Sequence, residues 1–167
     1  RWWQLSYSRA DMMAVISKLS RFIVCSCVTK RSIFEFIDAG IRPNAALQVF
    51  AFEDDYSFGI LQSSAHWAWF MGRCSTLKGD PRYTSNTVYD TFAWPQTPTE
   101  AQVRGVARAA VALRKLRREL MEREKINLRD LYRSMENPGE HPLKDAQTSL
   151  DDAVRAAYGM SKKADPL

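Results

Sequence analysis

Four consecutive residues, Asp80, Pro81, Arg82 and Tyr83, stand one substitution away from DPPY, the motif with which amino-directed DNA methyltransferases grip an extruded base. In that motif an acid or amide oxygen and a proline carbonyl accept hydrogen bonds from the target amino group, while the aromatic ring stacks on the base. Two prolines stiffen the loop. Arg82 replaces the second of them with a long flexible cation, so the rigid carbonyl geometry is lost. A methyl-donor site would also need a glycine-rich turn following a strand of a Rossmann-type sheet, and the sequence contains no GxG. Methyl transfer by this chain alone is therefore not expected.

Other reactive side chains give no better constellation. Glu53, Asp54 and Asp55 are three carboxylates in a row. A two-metal nuclease draws its carboxylates from separate elements, so this local cluster is expected to shape a tight turn. His66 could serve as a general base, but the sequence offers it no partner, and a histidine on an interior helix is the expectation. Cys25, Cys27 and Cys74 form no CxxC pair, which argues against a zinc site or a disulfide framework and fits a reducing cytoplasm. On a strand Cys25 and Cys27 would share a face with Ile23, and both are expected to be buried. No catalytic and no metal-binding residue is assigned. Between Arg73 and Thr87, by contrast, Arg73, Lys78 and Arg82 alternate with Ser75, Thr76, Tyr83, Thr84, Ser85, Asn86 and Thr87. That mixture supplies phosphate contacts, donors and acceptors for base edges, and a ring for stacking. It also describes an ordinary polar surface loop, and the residues alone leave both readings open.

The elements that must position this loop follow from pattern. The chain has 167 residues, 46% of them hydrophobic and 26% charged, with a net charge of +5. This is a globular composition with a modest basic excess, which permits an acidic partner without requiring one. No apolar run approaches the ~20 residues of a membrane span, and no membrane partner is expected. The opening RWWQLSYSRADM has no initiator methionine, and the chain is read as a piece of a longer protein. All but two of the aromatic residues precede Pro95, so a boundary is placed there, dividing the chain into residues 1–96 and 97–167.

In the first part, Met12, Met13, Val15, Ile16 and Leu19 predict a helix over residues 9–19 with Ser8 as cap. RFIVCSCV, SIFEFID, ALQVFAFE and YSFGILQS predict four short strands. Closely spaced strands without long intervening helices favour an antiparallel or mixed sheet. SSAHWAWFMGRC predicts a second helix capped by Ser63 or Ser64, and TVYDTFAW a last strand. In the second part, Thr97, Pro98 and Glu100 predict the start of a helix running to Lys125. Val103, Val106, Ala110, Leu113, Leu116 and Leu120 would be its apolar stripe. Arg104, Arg108, Arg114, Lys115, Arg117, Arg118 and Arg123 would form a solvated face, pairing with Glu119 and Glu122. Helices near LRDLYRSM and SLDDAVRAAYG should follow, the last capped by Gly159, and SKKADPL should be a frayed tail. The fold class is thus α+β: a small antiparallel or mixed sheet with flanking helices, followed by a helical C-terminal segment.

Several of these stretches together resemble one family. WW near the start, LSRFIV, TKRSIFEFID, LQVFAFEDDYSFGILQSSAHWAW, DPRYTSNTVYDTFAWP and the closing LDDAVRAAYG are similar to the target-recognition region and C-terminal helices of MmeI-like enzymes. These are large single-chain restriction-modification proteins with a gamma-class adenine methyltransferase core. The likeness covers nearly the whole chain. Trp67 stands where many relatives carry an acidic residue after the histidine, a departure that touches the pair His66 and Trp67. The resemblance implies that S-adenosylmethionine and the base-gripping motif belong to a methyltransferase domain upstream of this chain, and that this chain reads double-stranded DNA. It implies base reading within residues 63–87, with Ser63, Ser64, Arg73, Thr76, Lys78, Arg82, Tyr83, Thr84 and Asn86 as candidates. Arg21, Lys30, Arg31 and Arg42 are expected as phosphate clamps from their charge and loop position. The alternatives are a protein-interaction module docking through the basic helix, or a self-contained nuclease or methyltransferase fragment.

Overall fold

A computed structural model describes residues 9–160. The expected Ser8 cap, the paired tryptophans and the SKKADPL tail lie outside the described residues. The fold is α+β, with a small antiparallel sheet, flanking helices and a helical C-terminal segment.

Strand β1 (Arg21–Ser26) is central, with β2 (Glu35–Asp38) and β3 (Leu47–Phe50) antiparallel on either side. Its run of Phe22, Ile23, Val24 and Cys25 is buried throughout, because both faces of the sheet are covered. Helix α1 (Ala10–Ile16) lies on one face, where Ile16 packs with Phe22 and Val24. Ile23, Cys25, Phe34 and Phe50 look the other way, into the main core. Cys25 is buried as expected, but Cys27 lies past the strand end and is half-buried, its amide donating to the Ala46 carbonyl.

Two predicted strands are helical. YSFGILQS forms α2 (Asp55–Gln62), in which every residue from Ser57 to Gln62 is buried. A segment buried all round carries no periodicity to separate helix from strand. Two features decide it. The Asp54 carboxylate accepts from the Ser57 amide at 2.7 Å and caps the first turn. Gly59 then allows close approach to the long helix α4 (Glu100–Glu124): a Cβ there would lie 2.6 Å from Val106 Cγ1. The acidic triplet is therefore a helix cap and an ion-pair anchor rather than a tight turn. Glu53 accepts from the Ser20 amide at 2.9 Å, and Asp55 binds both Arg21 and Arg114. TVYDT, the other predicted strand, falls largely in a short π-helical turn (Ser85–Tyr89).

Helix α3 (Ser64–Arg73) is capped by Ser63 as expected. In α4 the cap lies two residues later than expected. Thr99 and Gln102 form the reciprocal capping box, because they repeat the Thr-x-x-Glu/Gln spacing of Thr97 and Glu100 on the helical side of Pro98. Val106, Ala110, Leu113 and Leu120 are buried along its stripe. Its basic face is not uniformly solvated. Arg117 is 1% exposed, donating to the Phe34 carbonyl at 3.0 Å and to the Tyr132 hydroxyl. The Phe34 amide in turn donates to Gln62 Oε1 at 3.0 Å. Side chains from α2 and α4 thus satisfy a buried stretch of backbone that enters β2 without a ladder partner. Arg114 is also largely buried; it pairs with Asp55 and lies over Phe36 and Phe58.

Helix α5 (Leu128–Ser134) buries Leu131 and Tyr132. Helix α6 (Pro142–Ala157) starts earlier than expected, with Pro142 in its first turn and a His141 cap, and Gly159 ends it at φ 73°. Leu143, Leu150 and Val154 of α6 belong to the same core as Ile23 and Phe58. One continuous core therefore crosses the compositional break at Pro95, and the helical segment packs directly on the sheet-bearing part.

Candidate nucleic-acid interface

The quoted loop is a built structure. Strands β4 (Ser75–Leu77) and β5 (Asp80–Arg82) form a hairpin closed by Lys78 and Gly79, both at positive φ (53° and 86°). This is the geometry of the two-residue turn that matches strand twist, and glycine takes it without strain. The hairpin is stitched to the chain leaving β1. The Thr29 amide donates to the Pro81 carbonyl at 3.1 Å and the Tyr83 amide to the Cys27 carbonyl at 2.8 Å.

Successive side chains of an extended segment point to opposite sides, and here that alternation separates a buried side chain from an exposed one. Tyr83 is 2% exposed. Its ring stacks on Phe70 at 5.2 Å and meets Phe50 edge-on at 5.6 Å. Its hydroxyl lies 3.1 Å from Nε2 of the fully buried His66. Burial lowers the His66 pKa to about 4, against a smaller opposing pull from the Leu61 backbone, so the imidazole is neutral and shares one hydrogen bond with the phenol, in the direction its tautomer sets. Burial also pushes the Tyr83 phenol upward. Arg82, the preceding residue, is exposed. The π-helical turn after Tyr83 buries only Val88, whose carbonyl accepts from the Trp69 indole at 3.1 Å. Ser85, Asn86 and Thr87 are left exposed.

Arg82, Thr84, Ser85 and Asn86 form one wall of a cleft of about 960 Å³. The other wall is β3 with the start of α1, and it presents Gln48 and Arg9. The lining holds two arginines, two side-chain amides and no carboxylate. Chemically, this is a surface that can neutralise phosphate and hydrogen-bond to base edges.

The expected base readers divide accordingly. Arg82, Thr84 and Asn86 meet in the cleft. Thr76 and Lys78 are exposed on the neighbouring hairpin, and Arg73 lies 4.6 Å over the Trp69 ring at the end of α3. Ser63 is buried inside the fold, and Ser64, though exposed, is engaged within the chain. The Ser63 hydroxyl is buried between the His66 amide and the Ile60 carbonyl, and Ser64 donates to Asp151 at 2.6 Å. Tyr83 is an anchor, with no exposed face for stacking. Among the expected phosphate clamps, Arg21 is taken by Asp55 at 3.2 Å, by the Glu53 carbonyl and by the Phe36 ring. Arg31 bonds Glu136 at 2.9 Å. Lys30 and Arg42 are exposed, but Arg42 lines neither this cleft nor the groove that holds Lys30 and Arg31. Trp67 is half-buried against Phe70. Arg9 and Gln48 were missed. For Gln48 a signal existed, a polar residue in phase with the inward-facing Phe50.

Residues 14–96 match the family described as MmeI, target recognition domain. This segment is an MmeI-like target recognition domain. The recognition domain contains every residue of the cleft except Arg9 and Met12, which immediately precede it. Over 105 residues the chain is 33% identical to DNA methyltransferase A of Bacillus subtilis (strain 168), a match spanning 62% of this chain and 11% of that protein. Its structure is similar to the Type IIL restriction-modification enzyme MmeI, solved in complex with DNA, with a TM-score of 0.71 and 25% identity. That likeness covers 88% of this chain and 19% of the other, so it extends past the recognition domain into the C-terminal helices. Among the described residues no helix is long and apolar enough to cross a membrane, and no acidic, histidine or cysteine cluster could hold a metal ion.

Proposed function

We propose that this chain reads a specific sequence in double-stranded DNA and holds the target adenine for a methyltransferase domain elsewhere in the same polypeptide. The carboxylate-free cleft carries this reading: Arg82 and Arg9 suit guanine or phosphate, while Asn86 and Gln48 suit adenine. S-adenosylmethionine would bind in the catalytic domain, since this chain has no glycine-rich turn to hold it. A DNA-directed role belongs to the cytoplasm, where the three free cysteines stay reduced. Docking of a partner through the basic helix is weakened by the internal commitment of Arg114 and Arg117.

The test is selection of duplexes from a random library by the 167-residue chain, followed by binding of the selected duplexes by Arg82→Ala. The expected result is a lost preference at one base position, costing about 1–3 kcal/mol. A uniform loss on all duplexes would make Arg82 a phosphate contact. Absence of duplex binding at about 50 mM salt, where phosphate contacts are strongest, would overturn the reading. Turnover of a labelled methyl donor by the chain alone would establish the catalytic-fragment alternative instead.

A further inference from the structure

A second groove, of about 650 Å³, runs between the 28–31 loop and α5. Ser26 and Val28 line both it and the reading cleft, so the two adjoin at the end of β1. Four cations line the groove: Lys30 and Arg31 from the recognition domain, and Arg129 and Arg133 from α5. Arg129 and Arg133 are one helical turn apart on the same face, and both are exposed.

The two acids on the lining do not cancel this charge. Glu136 is spent on Arg31, and Asp80 is 3.9 Å from a Lys30 whose side chain is 87% exposed, a pairing that contributes next to nothing. Among the described residues, the ion-pair partner of Arg133 is Asp130, 3.8 Å away on the same helix, and both side chains are about half exposed or more. Like charges at this spacing are mildly repulsive, and an anion between them removes the repulsion.

The groove is also held in shape. Arg31 donates to the Tyr132 carbonyl at 3.3 Å and to Glu136 at 2.9 Å, and its own backbone is tied to Thr29 Oγ1 through both amide and carbonyl. Arg117 fixes the Tyr132 hydroxyl from below. Arg31 is thus the strut that sets α5 against the recognition domain, and the exposed cations on either side of it are presented to solvent.

We propose that Arg129 and Arg133, together with Lys30, bind backbone phosphates of the duplex whose bases lie in the reading cleft, so that the helical segment is part of the DNA interface. The assignment rests on the DNA-reading function proposed above. It extends the interface beyond the family segment, which ends at residue 96.

The experiment measures the salt dependence of binding, on a selected duplex and on a scrambled one, by the full 167-residue chain. It compares wild type with Arg129→Gln/Arg133→Gln and with Arg104→Gln/Arg108→Gln. The last variant removes two exposed charges from α4 that lie outside the groove. For the α5 variant the slope of log affinity against log salt should shrink by roughly 2, at about 0.9 per phosphate released. Affinity for both duplexes should fall by the same factor, base preference should persist, and the α4 variant should keep the wild-type slope. An unchanged slope in the α5 variant, or an equal fall in both variants, overturns the phosphate assignment and leaves the reading cleft standing. A wild-type chain that binds neither duplex overturns the reading function and this assignment with it.

Discussion

Replacing Tyr83 by phenylalanine removes one oxygen and separates two roles for this residue. The ring contacts with Phe70 and Phe50 persist, because they use carbon atoms alone. The hydroxyl's bond to His66 Nε2, 3.1 Å long and fully enclosed, is lost. A net hydrogen bond contributes about 1 kcal/mol, and a buried ring nitrogen left without its partner costs about 1–3 kcal/mol. Part of this is offset because the buried phenol oxygen no longer needs desolvating, so the expected loss is about 1–3 kcal/mol. With a urea m-value of about 2 kcal/mol per molar, the midpoint should fall by roughly 0.5–1.5 M with the slope unchanged. Duplex preference should be unaltered, because Arg82, Thr84 and Asn86 keep their backbone. The contrary result is specific: stability within about 0.5 kcal/mol of wild type, the usual range for surface substitutions, together with a changed base preference. It would mean that Tyr83 faces DNA, as its place in the loop suggests, and that the buried anchor is wrong.

Three further perturbations test the framework that holds the cleft. Gly59→Ala forces a Cβ to 2.6 Å from Val106 Cγ1 and 3.3 Å from the Ala110 Cβ; the expected cost is about 1–3 kcal/mol by denaturant unfolding, and a stabilised variant would show that α2 and α4 do not cross closely there. Arg117→Ala leaves the Phe34 carbonyl and the Tyr132 hydroxyl unpaired and should cost about 2–6 kcal/mol, at about 1–3 kcal/mol for each buried polar group, whereas a loss below about 1 kcal/mol would place Arg117 at the surface. His66 should make the fold acid-sensitive. The unfolded imidazole takes up a proton below its ordinary 6.5, and the folded one only near 4, so stability present above pH 6.5 is lost as pH falls toward 4. The full difference is roughly 3 kcal/mol at 1.36 kcal/mol per pH unit. Unfolding at pH 7 and pH 4.5 should differ less in His66→Gln than in wild type; equal differences would mean that His66 is not the titrating group.

Sequence pattern alone determined the elements whose composition, length and flanking turn or cap residues all agree. β1 and β3, helix α3 with its serine cap, the long α4 and the Gly159 stop were legible because period, cap residue and length agree at those places. The polar loop that became the cleft wall was legible as a composition, and RYT, EDDYSFGIL and the flanking stretches carried the family resemblance. Tertiary structure decided the rest. YSFGILQ is buried on every side, so no local period marks it as a helix; the Asp54 cap and the close approach of α4 at Gly59 decide it. Arg114 and Arg117 look like surface charges in sequence, but they are internal because Asp55, Phe34 and Tyr132 reach them from distant parts of the chain. Neighbouring residues Arg82 and Tyr83 take opposite roles because His66, 17 positions away, claims the tyrosine and leaves the arginine outside. Arg9 and Gln48 face Arg82 and Asn86 only because the sheet and hairpin bring separate segments to the rim of one cleft. The chain's local residues specify what each piece can do, and packing selects which side chains remain free to do it.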